Sequence, residues 1–109
     1  MRPFEVRMTA DAVRDLEEIV EWIARHDGPG RAQHVLGRIE AAVEALERFP
    51  MRGRYPAELV ALGIREYRET LFKPYRIVYY VEGSRVFVLL IADGRRDLRS
   101  LLERRLLAG

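Results

Sequence analysis

The sequence predicts an α+β protein: an antiparallel twisted sheet in the order β-α-α-β-β-β, with an N-terminal helical hairpin packed on one face and a short C-terminal helix. Two patterns support this prediction. Two apolar stripes of helical period lie in the first half of the chain, and three runs of strand character follow in the second. The 109 residues suffice for one domain, residues 1–109, and the 49% hydrophobic content can fill its core without disulfides or metal.

The first half predicts one strand and two helices. Apolar residues alternate with charged ones over residues 4–8, which is typical of a half-buried strand. Thr9 can cap a first helix over residues 10–25. The breaker His-Asp-Gly-Pro-Gly at 26–30 separates it from a second apolar stripe over residues 32–46. Because the breaker is short, we expect the two helices to be antiparallel.

The second half predicts three strands and a last helix. Residues 51–63 form a connection with a helical turn near 58–61. The strand candidates are residues 64–72, 75–81 and 85–93. The third is apolar on both faces and is therefore expected in the middle of the sheet, with the N-terminal strand at an edge. Asp97 can cap the last helix. The sheet face opposite the hairpin is left to this helix or to a partner.

The composition excludes several classes of protein and divides the charge unevenly. The absence of cysteine excludes disulfide scaffolds, thiol catalysis and cysteine-ligated zinc, and favours a cytoplasmic location. The longest apolar run, 86–92, is too short to span a membrane, and the N-terminus lacks the apolar core of a signal peptide. Residues 1–47 carry a charge of −4 and residues 48–109 a charge of +6. This basic half suggests an acidic or polyanionic partner, although a codon bias towards arginine would explain the total equally well.

The sequence gives little support to the common kinds of catalytic site. His26 and His34 lack a third ligand, so no metal site is predicted. Ser84 and Ser100 have no histidine in their half of the chain to serve as a base. The helical carboxylates are typical of solvated faces. What remains is a set of basic and tyrosine side chains on and after the sheet: Arg65, Tyr67, Arg68, Tyr75, Arg76, Tyr79, Tyr80, Arg95 and Arg96.

This set can be interpreted in two ways. In a favourable strand register, Arg68, Arg76 and Tyr80 would share one face, where guanidinium groups could bind a phosphate or stabilise charge developing at phosphorus. Tyrosine rings there could stack on bases. Alternatively, the tyrosines are packing residues of the sheet and the arginines are their solvated neighbours.

Four segments, in this order, form a recognisable pattern: TADAVRDLEEIVEWIA, GRAQHVLGRIEAAVEALERFPMRG, YRETLFKPYRIVYYVEGSRVFVLLIADGRRD and the closing leucine-rich helix. The most specific parts are FP-x-x-G after the second helix, the YRIVYYV strand and GRRD after the last strand. Over nearly its whole length the chain thus resembles the RelE/ParE superfamily of toxins from type II toxin–antitoxin systems. The resemblance implies a sheet with a helical hairpin, a cognate antitoxin that neutralises the toxin in a hetero-oligomer, no cofactor and no membrane partner.

The activity that the resemblance implies divides within the superfamily. ParE-like members poison DNA gyrase, whereas RelE-like members cleave messenger RNA on the ribosome without a metal. In the RNA-cleaving case, the resemblance places Arg68, Arg76 and Arg96 around the scissile phosphate. Further candidates for binding a target or a phosphate are Arg65, Tyr67, Lys73, Tyr75 and Arg95.

Three positions depart from the RNA-cleaving pattern. Thr70 stands where many such members have a second lysine, Asp93 where several have histidine, and Leu102 at or near an expected tyrosine. Without the histidine and the tyrosine, a general acid or base is hard to name, Tyr67 or Tyr75 being the fallback. The departures favour the ParE-like side and leave open whether the chain is an enzyme. A non-toxic relative that only binds its antitoxin is the remaining alternative.

Overall fold

The computed structural model describes residues 2–108 and contains four strands and four α-helices within them. The first half of the chain provides one strand and a pair of long helices. The second half provides a short helix, a three-stranded meander and a terminal helix. Their bounds are β1 (Glu5–Met8), α1 (Ala10–Asp27), α2 (Pro29–Glu44), α3 (Ala57–Val60), β2 (Arg68–Phe72), β3 (Tyr75–Glu82), β4 (Arg85–Asp93) and α4 (Leu98–Ala108).

The helix ends follow the local signals in the sequence. The Thr9 hydroxyl accepts a hydrogen bond from the Ala12 N–H at 3.2 Å and so caps α1. Gly28 alone separates α1 from α2, and its φ of 93° lies in the region that favours glycine. The Asp97 carboxylate accepts the Ser100 N–H at 3.2 Å at the start of α4. The predicted helical hairpin and both predicted caps are therefore confirmed.

The sheet has the strand order β1-β4-β3-β2, with β4 in the interior and β1 at an edge, as expected. β3 is antiparallel to both of its neighbours, β2 and β4. The expectation of a wholly antiparallel sheet is wrong at one position, because β1 runs parallel to β4. Parallel neighbours need a long crossover connection, and here the helical hairpin is part of it. Strand alternation carries no information about this direction.

The strand expected over residues 64–72 begins only at Arg68. The backbone before it folds back on α3 instead of pairing with the sheet, since the N–H groups of Leu62 and Ile64 both bond to the Leu59 carbonyl. Gly63, with a φ of 78°, permits this tight path. The predicted helical turn in this connection is confirmed as α3.

Two hydrophobic clusters lie on the two faces of the sheet. The larger joins the sheet to α1 and α2, and Ile39, Tyr79 and Val88 are fully buried in it. The smaller joins the sheet to α3 and α4, and buries Leu90 and Leu102 to 1% exposure. Each such side chain contributes about 1.5–3 kcal/mol by leaving water. The face left open in the sequence interpretation is thus covered by the last helix.

Candidate target-binding surfaces

The first candidate arginine, Arg76, is held in a partly buried ionic network. Its side chain is 12% exposed. It donates to both carboxylate oxygens of Glu58, at 2.6 and 2.8 Å, and to both of Glu69, at 2.6 and 3.1 Å. Glu69 is 1% exposed and also accepts from Arg54 at 2.8 Å. These hydrogen bonds, the one to Glu58 above all, raise the pKa of Arg76. A phosphate would therefore have to compete with two carboxylates for the guanidinium group.

The second candidate, Arg68, is held by neutral groups instead. Its guanidinium donates to the carbonyls of Met51 at 3.2 Å and Gly53 at 2.9 Å, and to the Tyr55 hydroxyl at 2.9 Å. It also lies 4.5 Å from the centroid of the Tyr55 ring, and the guanidinium of Arg65 lies 5.7 Å from the same centroid. Arg68 is therefore fixed in position, yet its charge is not neutralised by these partners.

The strand register separates Arg68 from Arg76. Arg68 pairs with Tyr79, whose side chain faces the hairpin cluster, whereas Arg76 and Tyr80 alternate onto the opposite face. The register that would bring the three onto one face is therefore not the one observed. Tyr80 instead stacks on Phe87, with ring centroids 5.2 Å apart.

Tyr67, Lys73 and Leu102, three further positions singled out in the sequence, lie in different parts of the structure. Tyr67 packs edge-on against Tyr80 at 6.0 Å, and burial raises the pKa of its hydroxyl. Lys73 is exposed in the turn between β2 and β3, which contains a cis Lys73–Pro74 bond. Leu102, at the position of the expected tyrosine, is buried in the cluster under α4.

Arg95, Arg96 and Tyr75 line a groove of about 460 Å³ between α1 and the end of β4. We call this the α1–β4 groove; its lining is Asp15, Glu18, Ile19, Trp22, Tyr75, Ile91, Ala92, Asp93, Arg95 and Arg96. Arg95 pairs with Asp93 at 2.7 Å and lowers the pKa of that carboxyl. Burial raises the pKa of Tyr75. Among the described residues, the Arg96 side chain has no ion pair.

The floor of this groove is an open edge of the sheet. β1 ends at Met8, which pairs with Val88, so beyond that point β4 has no neighbouring strand on the side away from β3. Two side chains take over part of its hydrogen bonding. The Ile91 N–H donates to Asp15 at 3.0 Å, and Arg105 of α4 donates to the Leu89 carbonyl at 2.8 Å. Arg105 also bonds both Asp15 oxygens at 2.9 Å, which fastens α4 to α1.

Several of these features were missed in the sequence. No local spacing links Arg76 to Glu58 and Glu69, which are brought together by the fold alone. Trp22 is 54% exposed and stacks on His26 at 4.0 Å. The exposure of Trp22 could have been predicted, because Trp22 lies outside the apolar stripe of its helix.

Residues 2–108 contain neither a cluster of metal-binding side chains nor a helix that could span a membrane. No group of three histidine, cysteine, aspartate or glutamate side chains there could hold a metal ion. No helix within the same residues is long and apolar enough to cross a bilayer.

Two solved structures from toxin–antitoxin systems share this fold. A chain of the chromosomal ParDE TA system from P. aeruginosa superposes with a TM-score of 0.70 over 83% of this chain and 95% of that one, at 22% identity. A chain of the toxin–antitoxin complex RelBE2 from Mycobacterium tuberculosis superposes with a TM-score of 0.58 over 84% and 98%, at 23% identity. At such identities the likeness establishes the fold.

The sequence itself establishes the family. The model of the ParE toxin of type II toxin–antitoxin systems, parDE, matches residues 6–98. The toxin ParE3 of Caulobacter vibrioides is 32% identical over 88 residues, which cover 81% of this chain and 84% of that protein. This chain belongs to the ParE toxin family of type II toxin–antitoxin systems, within the RelE/ParE superfamily, and the resemblance seen in the sequence is confirmed.

Proposed function

We propose that this chain stops bacterial growth by binding DNA gyrase in the cytoplasm, without cleaving RNA, and that a cognate antitoxin neutralises it in a hetero-oligomeric complex. Membership of the ParE family supports the role of toxin. The poisoning of gyrase is what the resemblance to ParE-like members implies, and it is the part that requires a direct test.

One observation supports binding over RNA cleavage: the three arginines of the cleavage hypothesis are not gathered around one point. Arg68 and Arg76 lie on opposite faces of β2 and β3, and Arg76 is already bonded to two carboxylates. A scissile phosphate needs preorganised donors aimed at a single position. Asp93 cannot serve as a general acid at neutral pH, because Arg95 lowers the pKa of its carboxyl.

The α1–β4 groove is our proposed site for the antitoxin. Alternation along β4 directs the Ile91 carbonyl and the Asp93 N–H towards the open edge, where an extended segment can add as a strand. Trp22 and Ile19 offer apolar contact beside it, and Arg96 offers a cation for an acidic side chain. The neighbouring solved structures are toxin–antitoxin complexes, which supports a partner of this kind.

The deciding experiment for the target is induction of the chain alone in a bacterial host, with parallel pulse labelling of DNA and protein synthesis. The proposal predicts that DNA synthesis stops first and that the purified chain inhibits supercoiling by gyrase. Gyrase that stays fully active at excess protein would refute the proposed target. Early arrest of protein synthesis with truncated messages would favour the ribonuclease alternative, and harmless expression of folded protein would favour the non-toxic one.

The antitoxin site is tested by co-expression with the protein encoded beside the toxin. We expect growth to be restored for the wild-type chain and restored less well for the Trp22→Ala, Arg96→Glu variant. A matched control is Arg14→Glu, which lies on the exposed side of α1 outside the groove. Equal rescue of all three would place the antitoxin elsewhere.

A further inference from the structure

Half of the 18 arginines within residues 2–108 lie within 4.0 Å of a carboxylate, and several of the others are concentrated on one edge. Nine have such a partner: Arg7, Arg14, Arg25, Arg54, Arg76, Arg85, Arg95, Arg99 and Arg105. Over residues 48–68, by contrast, four arginines have no ion pair within residues 2–108. With the two aromatic rings among them we call this surface the basic edge: Arg48, Phe49, Arg52, Tyr55, Arg65 and Arg68.

Neutral groups contact three of the four guanidinium groups of the basic edge, those of Arg52, Arg65 and Arg68. Arg68 donates to two backbone carbonyls and to the Tyr55 hydroxyl, as described above. The Arg52 guanidinium lies 3.9 Å from the centroid of the Phe49 ring. Arg65 and Arg68 both lie over the ring of Tyr55. A guanidinium group that is already held in place loses little side-chain entropy when it binds an anion. Because no carboxylate is bound to it, no ion pair has to be broken either. The edge is therefore suited to anionic ligands.

The aromatic rings of the edge indicate which form of anion it suits. A single-stranded nucleic acid binds chiefly by stacking its bases on open aromatic faces. Here guanidinium groups already lie over Tyr55 and over Phe49, so stacked bases would have to displace them. A free phosphate in the shallow hollow beside Arg65 and Arg68 would also meet Glu66 and Glu82. A long row of phosphates that contacts the arginines from outside avoids both conflicts.

We propose that the basic edge binds the phosphate backbone of duplex DNA without sequence preference. Duplex DNA carries about one negative charge per 1.7 Å of its axis, so several exposed arginines can each meet a phosphate. The edge lies on the segment between α2 and β2 and on the first residue of β2. It shares no residue with the lining of the α1–β4 groove, so it remains available when that groove is occupied. This inference does not rest on gyrase as the target, since it concerns a contact made by the chain itself.

The test measures how tightly the full purified chain binds a fluorescent DNA duplex of about 20 base pairs. Fluorescence anisotropy gives the affinity at several salt concentrations between about 50 and about 200 mM. The test variant is Arg52→Gln, Arg65→Gln, and the control is Arg14→Gln, Arg25→Gln, which removes the same charge from α1. Each lost phosphate contact lowers the slope of log affinity against log salt by about 0.9. We therefore expect the loss of affinity over this salt range to be about twelvefold smaller for the test variant than for the wild type. The control should match the wild type.

Three results would overturn the proposal: no binding at about 50 mM salt, equal weakening in the control, or tighter binding of a single strand of equal length. Equal weakening would mean that net charge alone attracts the DNA. Both altered side chains are exposed, so the test variant should unfold at the wild-type temperature. If it unfolds earlier, the single variant Arg48→Gln replaces it, with an expected slope change of about 0.9. The assay contains no gyrase, so its outcome is separate from that of the proposed target.

Discussion

Replacing Arg76 with alanine should destabilise the fold strongly, because the side chain neutralises a buried carboxylate. Glu69 is 1% exposed, and without Arg76 its only ionic partner is Arg54, whose side chain is 62% exposed. Removing one partner of a buried ion pair costs about 3–5 kcal/mol. Arg54 remains, and Glu58 at 31% exposure can turn to water, so we expect the lower end, about 3 kcal/mol. At about 4 °C per kcal/mol for a domain of this size, the unfolding midpoint falls by roughly 12 °C.

The assay is urea and thermal unfolding followed by circular dichroism, with Arg96→Ala as the control. Arg96 is exposed and has no ion pair among the described residues, so its substitution should change the free energy of unfolding by no more than about 0.5 kcal/mol. The reasoning is refuted if Arg76→Ala is as stable as Arg96→Ala. In that case the network would contribute nothing, and Arg76 would be free to act on a ligand.

The same network predicts a pH dependence with a definite sign. The hydrogen bond from Arg76 lowers the pKa of Glu58 in the folded state, so its contribution is complete above the unfolded pKa and is lost as the pH falls through the folded one. The difference in unfolding free energy between the wild type and Glu58→Gln should therefore be constant near neutral pH and shrink below about pH 4. A difference that is as large at about pH 3 as near neutral pH would show that the contribution is not ionic.

Two further substitutions, each with a control, test the packing of the segment between α2 and α3 against the sheet and the attachment of the last helix. Gly53→Ala should cost about 2–3 kcal/mol in urea unfolding, because a Cβ there would clash with a buried tyrosine hydroxyl and lie 2.9 Å from a backbone carbonyl. Gly37→Ala, with open space around it in α2, should instead stabilise by about 0.5–1 kcal/mol, and a loss there would contradict this reading. Asp15→Ala should cost about 2 kcal/mol and speed amide hydrogen exchange in α4, since Arg105 loses its main partner. Asp11→Ala, 3.7 Å from Arg105 and exposed, should cost less than about 0.5 kcal/mol; similar losses for both would exclude the fastening role.

The elements of the fold were predictable where the signal was local. The stripe of α1, its Thr9 cap, the break at 26–30 and the doubly apolar β4 all follow from residues close in sequence. The parallel pairing of β1 was not predictable, because alternation of side chains is the same for either direction of a neighbouring strand. The late start of β2 was missed because its preceding residues bond to α3 rather than to the sheet.

The candidate site was predicted less well for a physical reason: the state of an arginine depends on its distant partners. Arg68 and Arg76 look alike in the sequence, each on a strand among aromatic residues. Only the fold brings Glu58 and Glu69 to Arg76 and leaves Arg68 against carbonyl groups. A residue-by-residue comparison with a family cannot distinguish these two environments, because the partners lie 7–18 positions away.

Ion pairs within the fold also change how the uneven charge of the two halves is interpreted. The second half carries +6 and the first −4, which suggests a large basic surface facing an acidic one. Part of that difference is cancelled internally, since Arg105 bonds Asp15 and Arg85 bonds Glu5 across the two halves. The electrostatic attraction therefore holds the last helix and the edge strand to the rest of the fold. The cations of the second half that have no ion pair within residues 2–108 include those of the basic edge and Arg96. Charge reversal at exposed ones such as Arg52, Arg65 and Arg96 should change binding while leaving stability unchanged.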